Sequence, residues 1–498
     1  MNSRDIVIGL DIGTTSTIGL AARMPREVLA AASRPTTLTS RHVGWAEEDP
    51  IEWWDNTVSI LRELSRRIDP TTIAGICVTG MLPAVVLLDE TGALLRPAIQ
   101  QSDGRCGDEV TQLRSELDES AFLERTGNGI NQQLVATKLR WIARNEPEVF
   151  SRIATVFGSY DYINFRLTGV RAVEQNWALE AGFTELASGA IADDLVAVAG
   201  IARSAIPPRT QSHHVMGHLS AEAAEATGLP AGLPVFGGAA DHIASALAAG
   251  IVDAGDVLLK FGGAGDIVVA TDRALPDARL FLDYHLVPGL YAPNGCMAAS
   301  GSALNWLAGM ITPQTDGDQR LKDLDALAME TPAGSAGLIC LPYFLGEKTP
   351  IHDPLARGTF VGLSLSHGRG HLWRAILEAV AYGFRHHVDV LADIGHAPKR
   401  FYASDGGSRS GIWMQIMADV LGEPLQLLDN HYGSSLGAAF VAAMGAGIVS
   451  DWAAVAELSP RGRIVHPDAA HCDVYDHGYR RYRSLYGHLA PWFHEDRG

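Results

Sequence analysis

Asp11 follows the apolar run IVIGL, and a turn of Gly13, Thr14, Thr15, Ser16 and Thr17 comes directly after it. Glycine lets a backbone come close to a ligand. Backbone N–H groups hold phosphate oxygens, and threonine and serine hydroxyls add neutral donors. A carboxylate beside such a turn suits Mg²⁺ held through water, because Mg²⁺ keeps much of its hydration shell. The turn has no lysine and does not follow the GxxxxGK[ST] phosphate-loop pattern. Taken alone, it also fits a plain hairpin.

A second stretch of the same shape lies far along the chain, DVLLKFGGAGDIVVAT at 256–271, with Gly262, Gly263 and Gly265 in its turn. Two strand–turn–strand units in matching places point to an internal duplication and favour a ligand over a bare hairpin. A third stretch, ASDGGSRSGIWMQIMADVLGEP at 403–424, runs a strand end into Gly406-Gly407 and then a helix. Ile412, Ile416, Met417, Val420 and Leu421 form its apolar face and Gly422 its stop. A Gly-Gly turn there can receive a purine or a phosphate, although no GxGxxG fingerprint is present.

The fourth stretch is FGGAADHIASALAAG, 236–250, with Asp241 just inside the start of a small-residue helix that Gly250 closes. Phosphoryl transfer to an alcohol needs a carboxylate that orients the hydroxyl and takes its proton. The helix N-terminus favours the charged form of Asp241, which weakens it as a base. It therefore reads as an orienting group that receives the proton late. A carboxylate that only stabilises its helix is the alternative.

Alternating strand and helix patterns must position these groups, so the class is α/β. IVIGL and TIGLAA read as an antiparallel pair. A helix follows, capped by Asp49 with Pro50 in its first turn, and Ile51, Trp54, Val58, Leu61, Leu64 and Ile68 share one face. IAGICVTG (73–80) and AVVLLDETGALL (84–95) read as further strands, the latter turning at Thr91-Gly92. With 498 residues, 47% of them hydrophobic, the chain has apolar material for two large domains. The division is placed near Gly250 to Gly255, giving 1–250 and 251–498.

Net charge is −18, which opposes a nucleic-acid partner. No apolar run reaches the roughly 18–20 residues of a membrane span. Cys77, Cys106, Cys296, Cys340 and Cys472 are scattered and odd in number, which suits a reducing cytoplasm rather than a disulfide framework. His213, His214 and His218 show no metal-ligand spacing, and the adjacent His386 and His387 point to different sides of a helix.

Together these segments resemble the FGGY family of carbohydrate kinases, within the actin-like ATPase superfamily. The most specific stretch is PYFLGEKTPIHDPLARGTFVGLSLSH at 342–367, and the match runs from DIGTTST to GSSLGAAFVAAMGAG at 433–447. The resemblance implies two ribonuclease-H-like domains with an interdomain cleft, a sugar-binding N-terminal one and a nucleotide-binding C-terminal one. It assigns Asp11, with Mg²⁺ through water, and Thr14, Thr15 and Ser16 to the phosphates of ATP. Gly262, Gly263 and Gly265 form the opposing loop, and Gly301, Asn305, Gly407 and Gly411 lie on the nucleotide. Asp241 falls on the family's catalytic base, with His242 beside it on the substrate side.

RPAIQQSDGRC at 96–106 resembles the corresponding stretch of the xylulokinase branch. Asp103 and Arg105 then face sugar hydroxyls, or form a structural pair. Departures occur at the substrate side. Leu82 and Pro83 stand where that branch carries a substrate-contacting Met-His, Gln101 replaces a tryptophan, and the second loop reads GGAG rather than GTSG. A site with changed polar contacts changes the hydroxyl pattern it accepts. The expected activity is ATP-dependent phosphorylation of a terminal hydroxyl of a pentulose such as D-xylulose. Ribulose, erythrulose, erythritol and glycerol are other acceptors, and a sugar-independent conformational ATPase is the rival class. The resemblance also allows a homodimer.

Overall fold

The structure, a computed structural model, describes residues 4–312, 317–429 and 431–495. It forms two compact units. The first comprises Met1–Val252, Asp272–Ala292 and Tyr432–Ser459, and the second Asp253–Thr271, Pro293–His431 and Pro460–Gly498. Two later segments thus pack with the first unit, although a single division near Gly250 assigns them to the second half.

In the first unit, β1 (Ile6–Ile12) turns back into β2 (Ser16–Arg23), which leads to β3 (Glu27–Pro35). The β1–β2 pair is antiparallel, with Ile6 opposite Arg23 and Ile12 opposite Thr17. Helix α1 (Pro50–Arg67) begins where the side chain of Asp49 accepts the N–H of Ile51. Its buried face is Trp53, Thr57, Ile60, Leu61 and Leu64: the expected Leu61 and Leu64 are on it, but Ile51 is exposed and Trp54, Val58 and Ile68 are half-buried. Two adjacent tryptophans made the phase ambiguous. Trp53 settles it by donating its indole N–H to buried Glu48 at 2.7 Å, while Trp54 lies under the guanidinium of Arg166.

Strand β4 (Ile73–Gly80) runs parallel to β1, and β5 (Pro234–Phe236) runs parallel to β4. Across the sheet the order is β3-β2-β1-β4-β5. Of the stretch 84–95 only Val86–Leu88 is a strand, paired with Thr155–Phe157. Asp89 explains the early end: its Oδ1 accepts the N–H groups of Thr91 and Ala93 and closes the turn.

The late helix Gly433–Gly445 packs on β1 within this unit. The approach is very close, since a Cβ on Gly9 would lie 2.0 Å from the carbonyl oxygen of Ser435. The late strand Phe281–Tyr284 is held by two side-chain amides. Asn128 exchanges hydrogen bonds with the backbone of Leu282, both at 2.9 Å, and Asn176 does the same with Tyr284 at 2.8 and 3.0 Å.

The second unit repeats the plan. β6 (Asp256–Phe261), β7 (Gly265–Val269), β8 (Tyr291–Met297), β9 (Arg400–Ser404) and β10 (Leu425–Leu428) lie in the order β8-β7-β6-β9-β10. Again the first three are antiparallel neighbours and the next two run parallel to the first. The duplication expected from two similar turns is therefore visible as two sheets of one topology. Among the described residues, no helix is long and apolar enough to cross a membrane.

Candidate active site

In the first unit the parallel strands bring the candidate residues to one edge. Asp11 is opposite Thr79 and Ile12 opposite Gly80. The short strand Ala239–Ala240 also runs parallel to β4, with Ala240 opposite Gly80. Asp241 comes next and opens helix α2 (Asp241–Ala248). Asp11 and the Gly13–Ser16 turn thus sit at the carboxyl end of β1, and Asp241 at that of the short strand on the other side of β4, along the sheet edge where α/β sheets bind ligands.

The turn is closed by the N–H of Gly13 on the carbonyl of Ser16 at 3.1 Å, and Thr36 donates to the carbonyl of Thr15 at 3.0 Å. Thr15 is exposed, and Gly13, Thr14 and Ser16 are half-buried. The Asp11 carboxylate accepts the hydroxyl of Ser434 at 2.6 Å. One carboxylate beside a hydroxyl-rich turn is a donor set that Mg²⁺ takes through its own waters. Asp241 keeps 36% of its side chain exposed, and its Oδ1 accepts the backbone N–H of His242 at 2.6 Å.

The His242 ring bridges two carboxylates, with Nδ1 3.2 Å from Asp241 and Nε2 2.9 Å from Asp283. Burial opposes a charge on His242. The hydrogen bonds and charges of Asp241 and Asp283 outweigh it and hold the imidazole well above its ordinary range. Glu180 completes the group, with ligand-capable atoms of Glu180, His242 and Asp283 all within 4.8 Å of one another. Neither Asp283 nor Glu180 was singled out from the sequence. No local pattern marks them, since they come from a late strand and a distant helix.

Leu82 and Pro83 lie just past β4, after Met81, and are buried. An antiparallel bridge joins Val85, just after them, to Ile99, just ahead of Gln101. Gln101 accepts from Gln133 at 3.3 Å. Asp103 and Arg105 form a closed pair. Both side chains are fully buried, Arg105 gives Asp103 two side-chain hydrogen bonds at 2.8 and 2.7 Å, and Asp103 also takes the N–H groups of Arg105 and Ala46. Arg105 pairs further with Glu47 at 2.8 Å and lies 3.8 Å from the centre of the Trp45 ring. The two side chains thus form a buried ion pair.

In the second unit the β6–β7 turn is tied to the start of helix α3 (Gly301–Ile311). The Gly262 carbonyl accepts from Gly301 at 2.9 Å, and the Gly263 carbonyl from Ser300 and Ser302 at 2.8 and 3.0 Å. A Cβ on Gly301 would lie 2.6 Å from the Gly262 oxygen. On Gly263 a Cβ would meet nothing within 4 Å, so that backbone faces open space. Gly265 begins β7, and Asn305 is exposed on α3. Gly407 has no room for a side chain, its Cβ position being 2.4 Å from Trp413 and 2.7 Å from Phe261. Gly411 starts helix α4 (Gly411–Leu421), where Ile416, Met417 and Val420 are buried as expected while Ile412 and Leu421 are half-buried. The deeper positions are Trp413 and Met414.

The 342–367 signature supports this second turn. Buried Glu347 accepts the N–H of Ala298 at 2.7 Å, and Thr349 accepts that of Cys296 at 2.6 Å. Both anchor the end of β8 just ahead of α3. Burial pushes the Glu347 carboxyl up to about 8.

Comparison with known proteins agrees with this arrangement. Residues 6–248 match the N-terminal domain, and residues 264–446 the C-terminal domain, of the FGGY family of carbohydrate kinases. The chain is 30% identical over 487 residues to xylulose kinase of Escherichia coli (strain K12), covering 97% of this chain and 99% of that one. It is similar in structure to xylulose kinase from Rhodospirillum rubrum, with 64% identity, a TM-score of 0.94, and coverage of 98% and 100%. Gluconate kinase from Lactobacillus acidophilus also aligns, with 26% identity, a TM-score of 0.91, and coverage of 97% and 98%. Two sheets of one topology, each with a tight turn at its first hairpin and the first with a carboxylate opening the helix beyond it, carry those family models almost from end to end, and the chain belongs to the FGGY family of carbohydrate kinases.

Proposed function

We propose that this carbohydrate kinase moves the terminal phosphoryl group of ATP to a terminal hydroxyl of a small ketose, with a pentulose such as D-xylulose first among the acceptors. The observation that carries the reading is the register that brings Asp241 to the same sheet edge as Asp11 and the Gly13–Ser16 turn, with β4 between them. The similarity to proteins called xylulose kinase supports the choice of acceptor.

Asp241 orients the acceptor hydroxyl and receives its proton as the new O–P bond forms. Thr14, Thr15 and Ser16 give N–H and hydroxyl donors to phosphate oxygens. Asp11 holds the waters of Mg²⁺, which when bound offsets phosphate charge. In the second unit Gly262, Gly263 and Gly265 serve the phosphates. Gly301, Asn305, Gly407 and Gly411 serve the nucleotide, with Gly407 acting through the packing of its turn. Leu82 and Pro83 present an apolar wall, and Asp103 with Arg105 braces the loop that carries Gln101. With all described cysteines free, the protein is read as cytoplasmic.

The buried Leu82-Pro83 step favours a second reading within the same chemistry, an acceptor other than xylulose. ADP release with ATP and Mg²⁺ tests both against D- and L-xylulose, D- and L-ribulose, erythrulose, erythritol, glycerol and gluconate. A strong response to D-xylulose supports the first reading. A strong response to another compound with xylulose weak supports the second. ATP turnover indifferent to every acceptor refutes both.

A further inference from the structure

The hydrogen-bonded chain behind Asp241 is not needed to place a carboxylate at a helix start. Ala240 already ends the preceding strand, and the helix begins with no side-chain cap. Yet three further ionisable groups are stacked behind it. Asp283 is fully buried, Glu180 nearly so, and His242 is 17% exposed. Burying ions is costly unless each has a partner of opposite charge or a hydrogen bond. Here the partners are arranged in series.

Resting on the reading of Asp241 given above, we propose that His242, Asp283 and Glu180 form a buried clamp that fixes the orientation and charge of the Asp241 carboxylate. His242 is the positioning residue. Its Nδ1 faces Asp241 Oδ1, which also takes the His242 backbone N–H, and its Nε2 faces Asp283 Oδ2. Asp241 Oδ1 is thus engaged from its own helix, and the other oxygen is the one assigned to the acceptor. Asp283 keeps its place because Asn128 and Asn176 grip the backbone on either side of it.

The protonation pattern is consistent with this geometry. Burial, then the charge of Asp283, push Glu180 well above its ordinary range, which favours its neutral form beside Asp283. Asp283 also lies within reach of Glu174 and Tyr160. Burial raises Glu174 to about 7, against hydrogen bonds from Ser212, Asn176 and Tyr160. The groups facing His242 are therefore Asp241 on its own helix, Asp283 on the late strand and Glu180 on the helix Gln175–Glu180. A protonated imidazole between two carboxylates, with a neutral acid behind, leaves each buried group partnered.

The test uses the whole chain labelled with [¹³Cε1]histidine, with the His242 signal assigned by its loss in His242→Gln. His242 is expected to stay protonated far above the ordinary histidine range. In Asp283→Asn its titration should fall back toward that range. In Glu180→Gln it should remain as in the parent protein, because an amide donates to Asp283 as a neutral acid does. In His242→Gln the acid limb of kcat/KM should move up by about one pH unit, since a neighbouring positive charge is lost. A packing role alone would lower the rate equally at every pH. An ordinary His242 titration in the parent protein overturns the proposal, as does an unmoved acid limb. A His242 signal shifted by added Zn²⁺ or Mg²⁺ also overturns it, making the cluster a cation site. If Asp241→Ala keeps its turnover, the underlying reading fails and the clamp loses its purpose, even where the histidine titrates as described.

Discussion

The two first hairpins of this protein are built alike and end differently. In β1–β2 the last pair before the turn is Ile12 with Thr17, and in β6–β7 it is Phe261 with Gly265. Counting back one residue gives Asp11 in the first and Lys260 in the second. Asp11 is opposite Ile18 and is reached by the hydroxyl of Ser434. Lys260 is opposite Asp266, 3.5 Å away. One hairpin sets a negative charge at the strand end and the other a positive one partly neutralised by its neighbour. The first suits a hydrated cation and the second suits phosphate oxygens. The frame occurs twice, and single residues at the strand ends give its two copies opposite charge.

On the proposed reading, the carboxylates of the first unit carry the largest effects. Asp241→Ala should lower kcat by about 10³-fold, within the range of lost acid–base assistance, with ATP affinity largely kept. Sugar-stimulated ADP release checks this. A loss confined to KM would mean that Asp241 only binds.

Next in size is a change of stability rather than rate. Asp103→Ala leaves Arg105 buried beside Glu47 with one partner gone, a loss of about 3–5 kcal/mol for a broken buried pair. A thermal melt should fall well below that of the parent. A normal melt with a raised sugar KM would return Asp103 to the substrate.

The charges at the hairpin ends come third. Asp11→Asn should raise the Mg²⁺ needed for half-maximal rate by about 10- to 100-fold. Lys260→Gln should raise the KM for ATP by about tenfold, one charge-assisted contact, without moving the Mg²⁺ dependence. Equal responses of both variants to Mg²⁺ would erase the contrast between the hairpins.

The smallest effects separate glycines that pack from glycines that face a ligand. Gly301→Ala should cost about 1–3 kcal/mol of stability, because its Cβ meets a backbone oxygen at 2.6 Å. Gly263→Ala should melt normally, its Cβ meeting nothing, and yet weaken ATP. A normal ATP KM in Gly263→Ala would remove that residue from the phosphate site.

Much of this was legible in the chain. Tight turns between apolar runs, the Asp49 cap, the Gly422 stop and the Asp241 helix start are local signals, and the structure shows each of them. What was not legible depends on distant partners. The phase of α1 is set by Glu48 reaching Trp53. The return of 281–284 and 433–445 to the first unit depends on Asn128, Asn176 and Gly9 finding matching surfaces. Asp283 meets His242 only through the return of 281–284, and Glu180 comes from the earlier helix Gln175–Glu180. The 342–367 signature marked the family, but its buried Glu347 and Thr349 act as supports for the strand before α3.

The most direct test is ³¹P NMR of the purified protein mixed with ATP, Mg²⁺ and D-xylulose, or whichever panel sugar stimulates ADP release most. A phosphate monoester growing in step with ADP, and absent with Asp241→Ala, is the predicted result. Inorganic phosphate growing in step with ADP, with no ester and no dependence on sugar, would contradict the assignment of this site to phosphoryl transfer onto a sugar.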